Sequence, residues 1–392
     1  MKSNIKYLYL IKFSKWFTLV MPILIPFYQK SGLSITDIML LKSIYSIAIV
    51  IMEIPSGYLA DIWGRRKTLL IGGILAFIGF AIYSITNHFL TFLVAEITLG
   101  LGHSLISGAD SALLYDSLKS IKQEDTYLKH EGKLTSLGNF SEAIAGILSG
   151  IIAAYSFKLP FIIQSGIAFI GIPSAIMLQE PRKCIHVAKT SYKNIFNVLQ
   201  KHIQKNKILR LYILLSSITG CATLSMAWFV QIYLKEINLD VEYFGIIWTI
   251  LNLSVGISSM KAYKIYESLG EKATTTIGIS IIGISYIICG IHISIINLIT
   301  LIVFYLVRGV VTPIFKDFIN KHTKSEIRAT ILSIRNFIIR IIFAIMAPIF
   351  GYITDNINLN TSLIITGSVF FILNLYVVLK LYKRKEVHQI HP

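Results

Sequence analysis

The segment Gly57-Tyr-Leu-Ala-Asp61-Ile-Trp-Gly64-Arg65-Arg66-Lys67 separates two long apolar runs. It holds one acid, Asp61, and three cations that follow Gly64, a residue able to turn the chain. Runs of this length can cross a bilayer, and clustered Arg and Lys keep a loop on the cytoplasmic side. The segment therefore predicts a short inner loop between two membrane helices.

The composition agrees with a membrane protein. Of 392 residues, 54% are hydrophobic and 15% are charged, whereas charged residues make up about 25% of soluble domains. The net charge is +17, but the cations lie mainly in alternate loops, and only Lys30, Lys158 and Lys235 lie in the opposite set. This asymmetry predicts cytoplasmic N- and C-termini and explains the basic charge without nucleic acid. The three cysteines are far apart, so we expect no disulfide framework and no metal site.

Twelve apolar runs approach the length of about 20 residues that a membrane helix needs. They cover 7–28, 38–57, 68–86, 89–118, 134–155, 160–179, 207–232, 242–260, 274–292, 296–316, 329–352 and 361–382. We predict an all-α integral membrane protein with twelve transmembrane helices in two pseudo-symmetric six-helix halves. The halves are residues 1–179 and 207–392, and residues 180–206 form a cytoplasmic linker with an amphipathic helix.

Internal repetition supports the two halves. Glu267-x-x-Gly270-Glu271-Lys272 stands in the second half where Asp61-x-x-Gly64-Arg65-Arg66 stands in the first. The segments 134–140 and 331–337 also resemble each other at corresponding places. Duplication of a six-helix unit is typical of transporters.

The pattern G-x-L-A-D-x-x-G-R-R-K closely resembles the signature loop between helices 2 and 3 of the major facilitator superfamily. Segments 53–57 and 328–333 also resemble a bacterial branch that contains drug and antibiotic exporters. The resemblance implies rocking-type alternating access in a monomer. It also implies that Arg65 pairs with Asp116 at the end of helix 4, and that Asp61 faces the start of helix 11 near Ala329. The predicted conformational latch comprises Gly57, Asp61, Gly64, Arg65, Arg66 and Asp116.

Helix 4 carries a polar stripe. Its residues Glu96, Gly100, His103, Ser107 and Asp110 are spaced as on one helix face. An acid inside the membrane costs roughly 2.5–3.5 kcal/mol on insertion scales, so such acids need water, a partner or a proton. The stripe favours a proton and substrate path, although structural pairing inside the bundle is the alternative. The predicted path comprises Glu96, His103, Asp110, Glu142, Arg308 and Arg340.

A second hypothesis concerns Glu53 in helix 2 and Arg335 in helix 11. Helices 2 and 11 face each other in the superfamily that the chain resembles, so these residues are predicted to form a gate pair that breaks during transport. The alternative is that Glu53 caps its helix before Pro55. The second half has Arg308, Arg335 and Arg340, and no acid inside its predicted spans beyond Glu242 at the first position of 242–260, so its cations could meet the acids of the first half or one end of a substrate.

These features predict a proton-coupled exporter of a small, partly apolar molecule. The chain departs from drug antiporters because helix 5 lacks their Gly-Pro motif, and because Glu96 lies where many relatives place an arginine. An importer of a small nutrient, proton-coupled or uniport, is the alternative, and a sensor or scaffold is a third. No phosphate-binding Gly-x-x-x-x-Gly-Lys loop is present. We expect no enzymatic activity, catalytic residue, cofactor or metal, and location in a bacterial plasma membrane. The expected partners are the substrate, protons and the lipid bilayer.

Overall fold

The computed structural model describes residues 1–180, 206–323 and 327–390. It leaves out the side chains of Ile54, Asp61, Leu128, Ala329 and residues 386–390. The predicted amphipathic linker therefore lies almost wholly outside the described residues. Throughout the described ranges the secondary structure is helical, without strands.

Helices of the first half are connected by short turns. Their bounds are α1 Lys2–Trp16, α2 Leu24–Lys30, α3 Ile35–Trp63, α4 Arg65–Ile85, α5 Phe89–Ile106, α6 Ala109–Ser120, α7 Tyr127–Tyr155 and α8 Leu159–Ile176. The first predicted span contains both α1 and α2, and a short 3-10 helix at Met21–Ile23 lies between them. The predicted fourth span, 89–118, corresponds to one candidate membrane segment, Phe89–Ser120, but this segment consists of two helices and not of one. Gly108 has φ +86°, which ends α5 and starts α6.

Helices of the second half are longer on average. Their bounds are α9 Lys207–Glu236, α10 Val241–Ile291, α11 Leu298–Lys321, α12 Arg328–Asn356 and α13 Leu359–Ile390. Eleven segments of the described chain are long and apolar enough to cross a membrane. One of them, α10, has 51 residues and would be about 77 Å long at 1.5 Å per residue, more than twice a hydrocarbon core of about 30 Å. Gly270, with φ +73°, divides α10 into two spans, so the count agrees with twelve crossings. The predicted fold class is confirmed.

The chain forms two compact units. Unit 1 contains Met1–Leu33, Ile44–Tyr192 and Asp240–Thr249, and unit 2 contains Ser34–Ser43, Lys193–Leu239 and Ile250–Pro392. The start of α3 thus belongs to unit 2, and the start of α10 belongs to unit 1. The division into residues 1–179 and 207–392 stays a prediction.

Each unit has its own core. In unit 1, aliphatic side chains from α1, α4, α6 and α8 pack together, among them Leu8, Leu69, Leu113 and Ala175. In unit 2, the core is aromatic, and Tyr286 lies between Phe229, Phe304 and Phe370. The Tyr286 hydroxyl donates to the carbonyl oxygen of Ala222 at 2.6 Å, which satisfies the buried phenol.

Candidate functional site

The signature loop is a tight turn between α3 and α4. Gly64 is the residue before α4 and has φ +91° and ψ 148°, a backbone conformation that is essentially restricted to glycine. The Arg65 guanidinium contacts the carboxylate of Asp116 and donates to the carbonyl oxygen of Ala112 at 2.5 Å. Arg66 donates to the carbonyl oxygen of Ile176 at 2.6 Å. The two arginines therefore tie the start of α4 to α6 and to the end of α8.

The structure brings Arg65 and Asp116 together, and their role as a latch stays a prediction. Gly57 is exposed on α3, seven positions before Gly64. The side chains of Asp61 and Ala329 lie outside the described part of the chain. The approach of Asp61 to the start of the predicted helix 11 therefore stays a prediction.

Glu180 is a loop residue that the sequence analysis missed. Its carboxylate accepts hydrogen bonds from the backbone N–H groups of Arg65 and Arg66, at 2.9 and 2.8 Å. These N–H groups have no partner inside their own helix, and the start of a helix favours negative charge. The sequence analysis assigned Glu180 to the linker. An acid directly after an apolar span was the only signal that it could cap a neighbouring helix.

We expect Glu180→Gln to lower the stability of unit 1 by about 1 kcal/mol, since an amide offers one acceptor oxygen and no charge to two N–H donors. The measurement is thermal unfolding of the purified protein in detergent. The matched control is Glu124→Gln, which changes an exposed acid of the same unit. Equal midpoints for the two variants would refute the capping role.

An ion pair joins α1 to α6 inside the first half. The Lys12 ammonium lies 3.5 Å from the Asp110 carboxylate, and their side chains are only 14% and 11% exposed. Asp110 Oδ1 also accepts the backbone N–H of Ser111 at 2.9 Å. Lys15, one turn after Lys12, interacts electrostatically with both groups. Lys12 therefore pairs with the Asp110 carboxylate, and Lys15 adds a second positive charge to its surroundings.

Glu131 extends this network onto α7, and sequence reasoning missed it as well. The Ser111 hydroxyl donates to Glu131 Oε1 at 2.8 Å, while Glu131 Oε2 is buried without a hydrogen-bond partner among the described residues. Next to it, His130 Nδ1 lies 3.4 Å from the Tyr9 hydroxyl. Asp110 and Glu131 are thus linked through Ser111. The two acids are 21 positions apart in the chain, on α6 and α7, so only the packing of these two helices brings them together.

Glu96 occupies a separate cluster. It is 2% exposed, and its Oε1 accepts a hydrogen bond from the Tyr28 hydroxyl at 2.7 Å and another from the Tyr83 hydroxyl. The two hydroxyls also contact each other. Three phenylalanine rings surround the cluster, contributed by Phe27, Phe92 and Phe161. Hydroxyls can donate or accept, so this cluster can hold Glu96 with or without a proton.

Two other stripe residues, His103 and Gly100, lie beside Tyr45 of α3 in unit 1, and their place in a transport path stays a prediction. His103 lies edge-on to the Tyr45 ring, with centroids 6.4 Å apart. A Cβ on Gly100 would lie 3.0 Å from the Tyr45 carbonyl oxygen, so α3 and α5 approach closely there. The predicted continuous stripe was wrong beyond Ser107, because the break at Gly108 separates Asp110 from Glu96 and His103.

Glu142 lies one turn before Gly146 on α7, where the start of α10 packs. A Cβ on Gly146 would lie 2.6 Å from Thr249 Oγ1, and one on Gly245 would overlap the Gly146 carbonyl oxygen. Thr249 also donates to the carbonyl oxygen of Ala143 at 3.1 Å. Small residues therefore bring two helix backbones into contact beside Glu142.

The predicted cations of the second half have different surroundings in unit 2. Arg335 is 6% exposed, and its Nε donates to Ser216 Oγ at 2.6 Å. Arg308 lies over the Tyr305 ring, 5.3 Å from its centroid, and Arg340 is half-buried on α12. The predicted partner of Arg335, Glu53, is half-buried on the part of α3 that belongs to unit 1, and the gate pair stays a prediction.

Asp355 is a further residue that sequence reasoning missed. Its carboxylate accepts the backbone N–H groups of Ile35 and Thr36 at 3.0 and 2.7 Å and the Thr36 hydroxyl at 2.6 Å. Gly351, one turn earlier, allows this approach, since a Cβ there would lie 2.9 Å from the Thr36 Cα. Unit 2 thus holds the start of α3 by a carboxylate at a helix N-terminus.

Similarities to a protein family and to known proteins indicate which class of protein has this architecture. The Major Facilitator Superfamily profile matches residues 15–344. An uncharacterised MFS-type transporter of Methanocaldococcus jannaschii is 21% identical over 269 residues, which cover 67% of this chain and 68% of that protein. The quinolone resistance protein NorA of Staphylococcus aureus is 22% identical over 166 residues, which cover 42% of each chain.

Solved structures share the fold at low identity. The nucleoside transporter NupG aligns with a TM-score of 0.79 at 15% identity, over 97% of this chain and 98% of NupG. A POT family transporter in complex with 5-aminolevulinic acid aligns with a TM-score of 0.75 at 15% identity, over 97% and 96% of the two chains. Since the profile covers most of the sequence and transporters share its fold, the chain is a membrane transporter that belongs to the major facilitator superfamily.

Proposed function

We propose that this transporter exports a small, partly apolar molecule in exchange for protons. The observation that carries the proposal is the Lys12–Asp110 pair, whose two charges are largely removed from solvent inside a helical span. A carboxylate in such a place is stabilised by its cation, and protonation removes that attraction. A proton on Asp110 therefore frees Lys12, which changes how α1 and α6 are held together.

Asp110 and Glu96 are suited to different steps. They are 14 positions apart on α5 and α6, which corresponds to on the order of 20 Å along a helical rise, so they lie at different depths. Asp110 has a charged partner, whereas Glu96 has tyrosine hydroxyls. In our proposal, Glu96 receives a proton on one side of the membrane, and Asp110 with Glu131 releases it on the other.

The predicted latch and gate belong to the same proposal. Arg65 and Asp116 stabilise one state, and Glu53 and Arg335 form an ion pair in one state that breaks in the other. The relationship to NorA favours export of an antibiotic-like compound. The nucleoside and peptide transporters of the same fold favour the alternative, a nutrient importer.

The direction and coupling can be tested in inverted membrane vesicles that hold an inside-acid pH gradient. A panel containing ethidium, norfloxacin, a nucleoside and a dipeptide is added while the gradient is monitored with a fluorescent base. An exporter that exchanges its substrate for protons dissipates the gradient on addition of at least one amphiphilic compound. No dissipation by any compound, with the nucleoside or dipeptide leaving the gradient unchanged or acidifying the lumen further, would replace proton-coupled export by import.

The gate pair has its own test. Glu53→Arg is expected to abolish transport, because it places two cations where an ion pair must form. The double variant Glu53→Arg/Arg335→Glu is expected to recover part of the activity, because it restores opposite charges. Initial rates in vesicles with matched protein amounts provide the measurement. A double variant as inactive as Glu53→Arg contradicts the pairing.

A further inference from the structure

The short helix α2 covers Glu96 in unit 1. Tyr28 of α2 donates to Glu96 Oε1 at 2.7 Å, and the Phe27 ring of the same helix lies against the Phe161 ring, with centroids 4.1 Å apart. Tyr83 of α4 is the second titratable group that faces the carboxylate. Tyr28, Phe27 and Glu96 are each at most 2% exposed, so the carboxylate is closed off from water while α2 is in place.

Breaks in the helical backbone separate α2 from both of its neighbours. Residues 17–20 are not helical, and the backbone N–H of Leu19 donates to Gln164 Oε1 at 2.7 Å. After α2 the chain turns at Gly32, which has φ +85°, and a Cβ built there would have no heavy atom within 4 Å. A seven-residue helix between two such breaks can move without bending α1 or α3.

The chain passes from unit 1 to unit 2 directly after α2, between Leu33 and Ser34. Asp355 of α12 fastens the unit 2 side, because its carboxylate accepts three hydrogen bonds from Ile35 and Thr36. The helix that covers Glu96 is therefore joined, within a few residues, to a segment that is held by the other unit.

We infer that residues 31–34 are a strap that couples movement of unit 2 to exposure of Glu96, and that Asp355 is the positioning residue at its far end. The inference rests on the proposed function, in which Glu96 receives a proton. The strap now forms a compact turn, in which the Leu33 N–H donates to the Tyr28 carbonyl oxygen at 3.1 Å. Its four residues extend to about 14 Å at most. When the units move relative to each other during transport, Asp355 carries the start of α3 with unit 2, and the strap draws α2 away from Glu96.

The strap keeps protonation in step with the conformational change. Water reaches Glu96 only after unit 2 has moved, so a proton cannot enter while α2 is in place. A contact at the end of α2 favours its return, because the Lys30 ammonium lies 4.8 Å from the centroid of the Phe157 ring in unit 1. Proton leakage without movement of the two units is thereby prevented.

Lengthening the strap tests the coupling in vesicles. Insertion of three glycines after Gly32 adds about 10 Å of slack, so gradient-driven transport of the most active panel compound should fall at least tenfold. Exchange of labelled for unlabelled compound without a gradient needs no proton and should stay within twofold. The matched control is the same insertion after Asn87, in a turn that lies wholly within unit 1, and it should keep both activities. Gradient-driven transport that survives the Gly32 insertion, or equal loss of both activities, overturns the strap.

Hydrogen–deuterium exchange tests the role of Asp355 independently of proton transport. With the full chain in phosphatidylcholine nanodiscs, Asp355→Ala should speed amide exchange of residues 34–40 at least tenfold. It should leave α2 at least as protected as before, because the pull on α2 is removed. A purely structural role of Asp355 predicts faster exchange in both segments, and that result, or no change in residues 34–40, overturns the inference. The control Asp317→Ala, at an exposed acid of unit 2, should change neither segment.

The two experiments separate the strap from the transport proposal. If no compound dissipates the gradient with the unmodified protein, proton-coupled export is rejected, and the exchange pattern of residues 34–40 and α2 still decides whether the strap exists. If the unmodified protein responds and the Gly32 insertion responds equally, export stands and the strap is overturned.

Discussion

Asp110→Asn is expected to reduce gradient-driven transport to the level of vesicles without the protein. Asparagine has the shape of aspartate and can still accept the Ser111 N–H, but its amide neither ionises nor forms an ion pair with Lys12. The cycle then cannot couple proton release to movement of α1 and α6. Rates with the panel compound that gives the largest response, measured with and without a pH gradient, provide the test.

Controls distinguish coupling from stability. Asp110→Asn leaves Lys12 and Lys15 without their carboxylate, so the unfolding midpoint should also fall. The double variant Lys12→Met/Asp110→Asn removes both partners and should recover stability without recovering transport. Asp125→Asn, at an exposed acid of the same unit, should change neither property. Gradient-driven transport that persists in folded Asp110→Asn would show that Asp110 does not carry the coupling.

Gly245→Ala is expected to produce the second large effect, this time on folding. A Cβ at this position would overlap the carbonyl oxygen of Gly146, so α10 must move away from α7. Overpacking of this kind costs about 1–3 kcal/mol and sometimes more. The variant should show a lower unfolding midpoint in detergent and reduced transport.

Gly256→Ala is the matched comparison on the same helix. No heavy atom lies within 4 Å of a Cβ built at Gly256, so the same methyl group enters open space. Alanine is favoured over glycine inside a helix by roughly 0.5–1 kcal/mol, and this variant should be neutral or slightly more stable. Equal destabilisation of both variants would indicate a general effect of methyl groups in α10.

The sequence was sufficient for the all-helical membrane fold, because crossing a membrane requires long apolar helices and the charged loops stand out between them. It was insufficient for the fourth predicted span, 89–118, which contains α5 and α6. Gly100, Gly102 and Gly108 look alike in the chain, yet only Gly108 has a positive φ and ends a helix, while the other two allow close helix packing. That difference depends on tertiary neighbours, which spacing does not reveal.

The site residues show the same limit. Glu96 and Asp110 could be selected as acids inside a span, and Arg65 with Asp116 followed from the family pattern. Glu131, Glu180 and Asp355 were not selected, because each lies near a helix end, where acids are common. Their partners are a serine hydroxyl and backbone N–H groups, which carry no recognisable sequence signal.

The contact between Asp355 and the start of α3 has a consequence for expressing the chain as two separate fragments. A polypeptide that ended in the central connection would contain Ile35 and Thr36 but would lack the carboxylate that binds them. The C-terminal fragment would contain Asp240–Thr249 but would lack α7, the helix that this segment packs against in unit 1. Each fragment would therefore expose surfaces that only the other can cover. Co-expressed fragments should accumulate in the membrane, whereas either one produced alone should be degraded.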